Sequence, residues 1–157
     1  MEFSAAQWRE IKAHCVSAGV EFMSSPFSPA AVELLLEVGV RVWKIASGEV
    51  SNSQILGCVR ESGLPVILSS GLSTLDDLDV AVREVGRKSA QLAVLQCATQ
   101  YPTPAREVGL NVLGQIRSRF DCVVGISDHS ATPYPSFAAA ALGAQIFETH
   151  LRLDDDH

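Results

Sequence analysis

Six short apolar runs, separated by stretches that read as helices, constrain this chain more than anything else in it. They cover residues 20–24, 42–46, 66–69, 92–97, 123–127 and 145–150, with starts 22, 24, 26, 31 and 22 residues apart. All are rich in Val, Ile, Leu or Phe and alternate only partly with polar residues. Near-continuous apolar runs suit strands of a parallel sheet covered by helices. Strict alternation at this period leaves two α/β architectures, an open doubly wound sheet or a (β/α) barrel. A chain of 157 residues holds about one domain.

The intervening helices carry their own punctuation. Ser4 with Gln7 reads as a capping box and Phe3 with Trp8 as a hydrophobic staple, for a helix that stops at Gly19. Ser28-Pro29 opens a second helix with proline in its first turn. A third follows Ser51 and stops at Gly63. A fourth is predicted to be capped by Ser73 with Asp76, to carry Leu75, Leu78, Val82 and Val85 on one stripe, and to end at Gly86. A fifth spans residues 108–120, and a sixth starts near Pro135 and ends at Gly143.

Charge and composition exclude several functions. Twelve Lys and Arg against eighteen Asp and Glu give a net charge of −6. That speaks against nucleic acid or an anionic membrane as partner, since both need a broad basic face. The most apolar stretch, residues 137–147, is about half the length of a membrane span and carries Gln145. The N-terminus lacks the basic-then-apolar pattern of a secretory signal. Cys15, Cys58, Cys97 and Cys122 are far apart with no Cys-x-x-Cys pair, so they read as reduced, mostly buried thiols of a cytoplasmic protein. Asp154, Asp155 and Asp156 read as a solvated tail, and His14 and His157 receive no role.

Every run ends in polar, reactive side chains: Ser24-Ser25-Pro26, Lys44 to Glu49, Ser69-Ser70-Gly71, Cys97 to Tyr101, Ser127-Asp128-His129 and Glu148-Thr149-His150. An open sheet needs such ends only beside its switch point. A barrel gathers all of them at one mouth, so the barrel is the better reading, although a closed one has eight strands.

Lys44 lies inside a run, so it either snorkels to water, clamps an anion, or serves as a Schiff-base amine. Ser47, Ser69 and Ser127 are small hydroxyls beside glycines or at helix starts. Such residues suit phosphate as well as ordinary caps and turns. His129 and His150 end neighbouring strands, where two imidazoles can share a divalent ion. Tyr101-Pro102-Thr103-Pro104 reads as a stiff loop, either a simple connector or a support that holds Tyr101 at the mouth.

These stretches, taken in order, resemble the sialic acid synthase family. The matching segments are Glu21-Phe-Met-Ser-Ser-Pro-Phe27, Lys44-Ile-Ala-Ser-Gly-Glu49, Pro65-Val-Ile-Leu-Ser-Ser-Gly71, Leu95-Gln-Cys-Ala-Thr-Gln-Tyr-Pro102, Gly125-Ile-Ser-Asp-His129, Ala141 to Ala144 and Glu148-Thr-His150. Two positions depart from the family pattern: Ser25 replaces a common threonine, a mild change that keeps the hydroxyl, and Ala98 loses a hydroxyl that is common there.

The resemblance implies an incomplete (β/α)8 TIM barrel, with six parallel strands corresponding to barrel strands three to eight. The family's small antifreeze-like domain is expected to be absent from residues 1–157. It implies condensation of phosphoenolpyruvate with N-acetylmannosamine or a related amino sugar, releasing phosphate. Lys44, Glu49 and Tyr101 would be catalytic. Ser25, Lys44, Ser47, Ser69, Thr99, Tyr101 and Ser127 would bind substrate, with Glu49 facing the sugar. His129 and His150 would hold Mn²⁺ or Mg²⁺. Lys44 would then act through its charge rather than an imine. The chain alone is expected to be inactive and homo-oligomeric. The alternatives are a non-catalytic phosphate- and metal-binding or interaction module, and another 3-deoxy keto sugar acid synthase.

Overall fold

A computed structural model describes residues 3–87 and 89–151. The elements alternate as the spacing requires: α1 (Ala5–Ser17), α2 (Pro29–Val38), β1 (Trp43–Ile45), α3 (Ser53–Ser62), β2 (Val66–Ser69), α4 (Leu75–Val85), β3 (Ser89–Cys97), α5 (Val112–Arg119), β4 (Cys122–Asp128), α6 (Tyr134–Ala141) and β5 (Ile146–Thr149). Single 3₁₀ turns lie at Ser47–Glu49 and Ala105–Glu107. The five strands pair in sequence order, β1-β2-β3-β4-β5, all parallel. An order that never reverses, joined by right-handed crossovers, puts every helix on one face of the sheet. The sheet is thus part of a TIM barrel rather than a doubly wound sheet, and its other face is the barrel interior.

The register divides the side chains. Trp43, Val66 and Leu92 share one face, as do Ile45, Leu68, Val94 and Val124. These residues form the core with Val32, Leu35, Ile55, Val59, Leu78, Val85, Leu113 and Ile116 of the helices. The intervening residues point to the interior. At Gly125 an added Cβ would lie 2.4 Å from the Ile146 carbonyl oxygen and 2.5 Å from Leu95 Cδ2, so only glycine lets these interior neighbours close up.

Several helix signals behave as expected. Ser4 and Gln7 form a full capping box, and Phe3 packs edge-on to Trp8 at 5.4 Å. Gly63 and Gly86 end their helices in the left-handed conformation. Other signals need correction. Residues 20–24 form no strand: they make no ladder, and the segment is held by side chains instead, with buried Phe22 against Trp8 and Glu21 paired with Arg41. The strand count among the described residues is therefore five, not six.

The cap of α4 is Thr74 with Asp77, one residue later than Ser73 with Asp76. The Ser73 amide closes a turn onto the Ser70 carbonyl, and Asp76 instead pairs with Arg119. The fifth helix starts at Val112, not at residue 108. Gly109 is left-handed (φ +74°) and breaks the helix, and its open side is filled by the Gln96 amide. All four cysteines are free, but only Cys97 is buried; Cys15, Cys58 and Cys122 are half-buried, packed against the rim of the core. Burial still pushes the Cys122 thiol up to about 11. Residues 154–157 lie outside the described residues.

Candidate active site

Lys44 shows how the site is built. Its neighbours Trp43 and Ile45 are fully buried against the helices, so strand alternation turns Lys44 into the barrel. There its side chain is 11% exposed. Its Nζ donates to Ser69 Oγ at 2.8 Å and lies 3.4 Å from Glu148 Oε2. The lysine therefore does not snorkel to the surface; it is a cation fixed among interior polar groups.

The same alternation aligns the other strands. Ser69 opposes Leu95, Cys97 opposes Ser127, and Ser127 opposes Glu148, all on the interior face. A cavity of about 500 Å³ lies over this row. It is lined by Ser25, Lys44, Ser47, Ser69, Thr99, Tyr101, Ser127, His129 and His150, so it gathers nine of the ten residues singled out in the sequence.

Glu49 is the tenth and does not line it. Its carboxylate accepts from Asn52 Nδ2 at 2.8 Å, at the start of α3. Ser47 Oγ accepts the Gly71 amide at 3.1 Å and lies 3.6 Å from Cys97 Sγ. A Cβ on Gly71 would meet Thr99 Cγ2 at 2.7 Å and Ser47 Oγ at 2.9 Å, so glycine is what lets this loop reach the cavity wall.

His129 is held in one tautomer. Its Nδ1 lies 2.7 Å from the Ala98 carbonyl, which can only accept, so Nδ1 carries the proton. Nε2 is then the acceptor, with the Tyr101 hydroxyl at 3.0 Å and Ser127 Oγ at 3.3 Å. Burial, with smaller contributions from Cys97 and Glu148, raises the Tyr101 phenol above its ordinary value, which keeps it a donor. The Tyr101 and His129 rings stack at 4.1 Å, and His150 sits 5.1 Å from His129 and 5.3 Å from Tyr101.

The loop that carries Tyr101 is tied down. The Thr103 amide donates to the His129 carbonyl at 2.9 Å, and Thr103 Oγ1 to the Gln100 carbonyl at 2.6 Å. Asp128 has a supporting part. It is buried and accepts from the Ser130 amide at 2.9 Å and Ser136 Oγ at 3.3 Å, shaping the turn into α6.

Two imidazoles with ring centres 5.1 Å apart have the donor chemistry that a shared divalent ion would require. A ligating histidine commonly donates its other N–H to a carbonyl, as His129 does to Ala98. Among the described residues no group of three or more His, Cys, Asp or Glu side chains comes together, so water or substrate would have to fill the remaining positions. An ion at His129 Nε2 would displace the Tyr101 hydroxyl.

The whole chain, residues 1–157, matches the NeuB family model. The chain belongs to the NeuB family. As a NeuB-family chain it is 34% identical over 157 residues to the N,N'-diacetyllegionaminic acid synthase of Campylobacter jejuni, covering 98% of this chain and 47% of that protein. It is 33% identical to human N-acetylneuraminate-9-phosphate synthase, covering 98% of this chain and 43% of that one. The crystal structure of an N-acetylneuraminic acid synthetase from Leptospira borgpetersenii superposes with a TM-score of 0.92 at 30% identity, over 98% of this chain and 54% of that one. The chain thus spans about half the length of the relatives it matches.

Glu148 is the site residue that sequence reasoning left without a role. The signal was present: Glu148 stands on β5 two residues before His150, and both line the cavity.

Proposed function

We propose that this chain supplies the anion pocket and the metal-binding histidines of a synthase that condenses phosphoenolpyruvate with N-acetylmannosamine or a related amino sugar. The carrying observation is the placement of a fixed lysine cation and an acceptor imidazole in one cavity. Lys44, Ser69, Ser47 and Ser127 form the donor set for phosphate and carboxylate oxygens. Thr99 and Ser25 add hydroxyls at its rim. Tyr101 stacks on the His129 ring and so helps orient it.

A divalent ion held by His129 and His150 would supply Lewis-acid polarisation of the acceptor aldehyde. Two imidazoles favour Mn²⁺ over Mg²⁺, which prefers an all-oxygen shell. Attack by the phosphoenolpyruvate C3 forms the new C–C bond, water adds at C2, and phosphate leaves. Through this sequence Lys44 stabilises the anion by charge. Glu49 enters the reading by family resemblance alone and would have to release Asn52 to face a sugar. Free cysteines support a cytoplasmic setting. Among the described residues no helix is long and apolar enough to cross a membrane.

Calorimetric titration with phosphoenolpyruvate tests the pocket. Saturable one-site binding is expected, and a chain that binds none overturns the proposal. Turnover and assembly form a second test. Among the described residues β1 and β5 each pair on one side only, and Phe137, Phe147 and Leu151 line an open groove of about 1230 Å³ beside β5. Open edges and apolar grooves favour pairing between chains. Sedimentation is expected to show concentration-dependent self-association without synthase activity. An active, monodisperse monomer contradicts that expectation.

A further inference from the structure

Glu148 Oε2 is buried, lies 3.4 Å from the Lys44 ammonium and has no hydrogen-bond partner among the described residues. The rest of the side chain is not enclosed; it is 39% exposed. A buried acceptor with no donor is costly, and here it is held only by the charge of Lys44. Among the described residues that line the cavity, Lys44 is also the sole Lys or Arg. Any phosphate or carboxylate that reaches the lysine meets a negative charge already beside it.

We propose that Glu148 is an internal competitor for the anion pocket: its carboxylate contends with the phosphate- or carboxylate-bearing ligand for Lys44 and is displaced on binding. The inference deepens the proposed function and rests on the anion pocket described there. It makes Glu148 a positioning and affinity-setting residue that weakens anion binding. A bound anion then takes over Ser69 and Lys44 while the carboxylate swings toward solvent, where its exposed portion already lies. No bond is made or broken; one anion replaces another at the ammonium.

Titration of the full chain with inorganic phosphate, followed by calorimetry, tests this. Glu148→Gln keeps the shape and removes the charge, and is expected to bind phosphate about tenfold more tightly, the scale of one unit charge removed from a pair whose carboxylate is partly exposed. Glu148→Asp draws the carboxylate back by one methylene and should tighten binding less, in the same direction. It also serves as the test if the glutamine variant lacks a cooperative melt. Adding Lys44→Met to either variant should abolish the gain. A purely structural role for Glu148 predicts no tightening. Equal or weaker phosphate binding in folded variants overturns the inference while leaving the pocket intact. A wild-type chain and variants that all fail to bind phosphate overturn the pocket itself.

Discussion

Replacing either His129 or His150 with alanine is expected to abolish measurable Mn²⁺ binding. The two rings are 5.1 Å apart at the ends of β4 and β5, and no third protein ligand joins them among the described residues. Each substitution would therefore remove half of the proposed protein ligands. Losing an outer-shell partner alone typically costs about 10–100-fold in metal affinity, so losing a ligand should cost more than about 100-fold here. His129 has a further role in the structure, since it stacks on Tyr101 and bonds to the Ala98 carbonyl. His129→Ala should thus also loosen the Tyr101 loop, whereas His150→Ala should leave that loop in place. Calorimetry with Mn²⁺ and a thermal melt separate the two effects. Unchanged Mn²⁺ affinity in both variants eliminates the metal site.

Lys44→Met is expected to lose phosphoenolpyruvate binding by about 100-fold or more, the scale of deleting a charge-assisted contact in a desolvated pocket. Methionine preserves the length and apolar stem, so the β1 backbone and the packing of Trp43 and Ile45 should survive. Two polar groups lose a partner: Ser69 Oγ, and the Glu148 carboxylate 3.4 Å away. The partial exposure of Glu148 limits the stability loss, because the freed carboxylate can turn to water. A retained melt with lost ligand binding is the expected pair of results. Borohydride trapping of a keto acid on Lys44 would replace the ion clamp with an imine.

The parts of this site that were legible in sequence are those set by local rules. Lys44 stood out because Trp43 and Ile45 flank it, and alternation then fixed its direction. His129 and His150 stood out because each ends a strand whose partner lies one strand–helix unit away. The less legible parts depend on pairing across distance. Residues 20–24 have the apolar character of a strand, but a ladder also needs a neighbour in register, and side-chain packing holds them instead. Ser73 looked like a cap because its chemistry suits one; its amide was already committed to the Ser70 carbonyl. Glu148 was visible as a strand-end carboxylate, but its importance comes from Lys44, four strands away across the interior. Glu49 shows the converse, because its motif points to the mouth while Asn52 holds its carboxylate aside.

The central claim is that the Lys44 anion clamp and the histidine pair serve one cavity. Paramagnetic relaxation tests it directly, by following the ³¹P signal of phosphoenolpyruvate bound to the chain as Mn²⁺ is added. The account predicts strong broadening of the bound phosphorus resonance that disappears in His150→Ala, although phosphoenolpyruvate still binds there. Bound phosphoenolpyruvate whose ³¹P signal is untouched by saturating Mn²⁺, or broadened equally without His150, would show that metal and anion do not share the site.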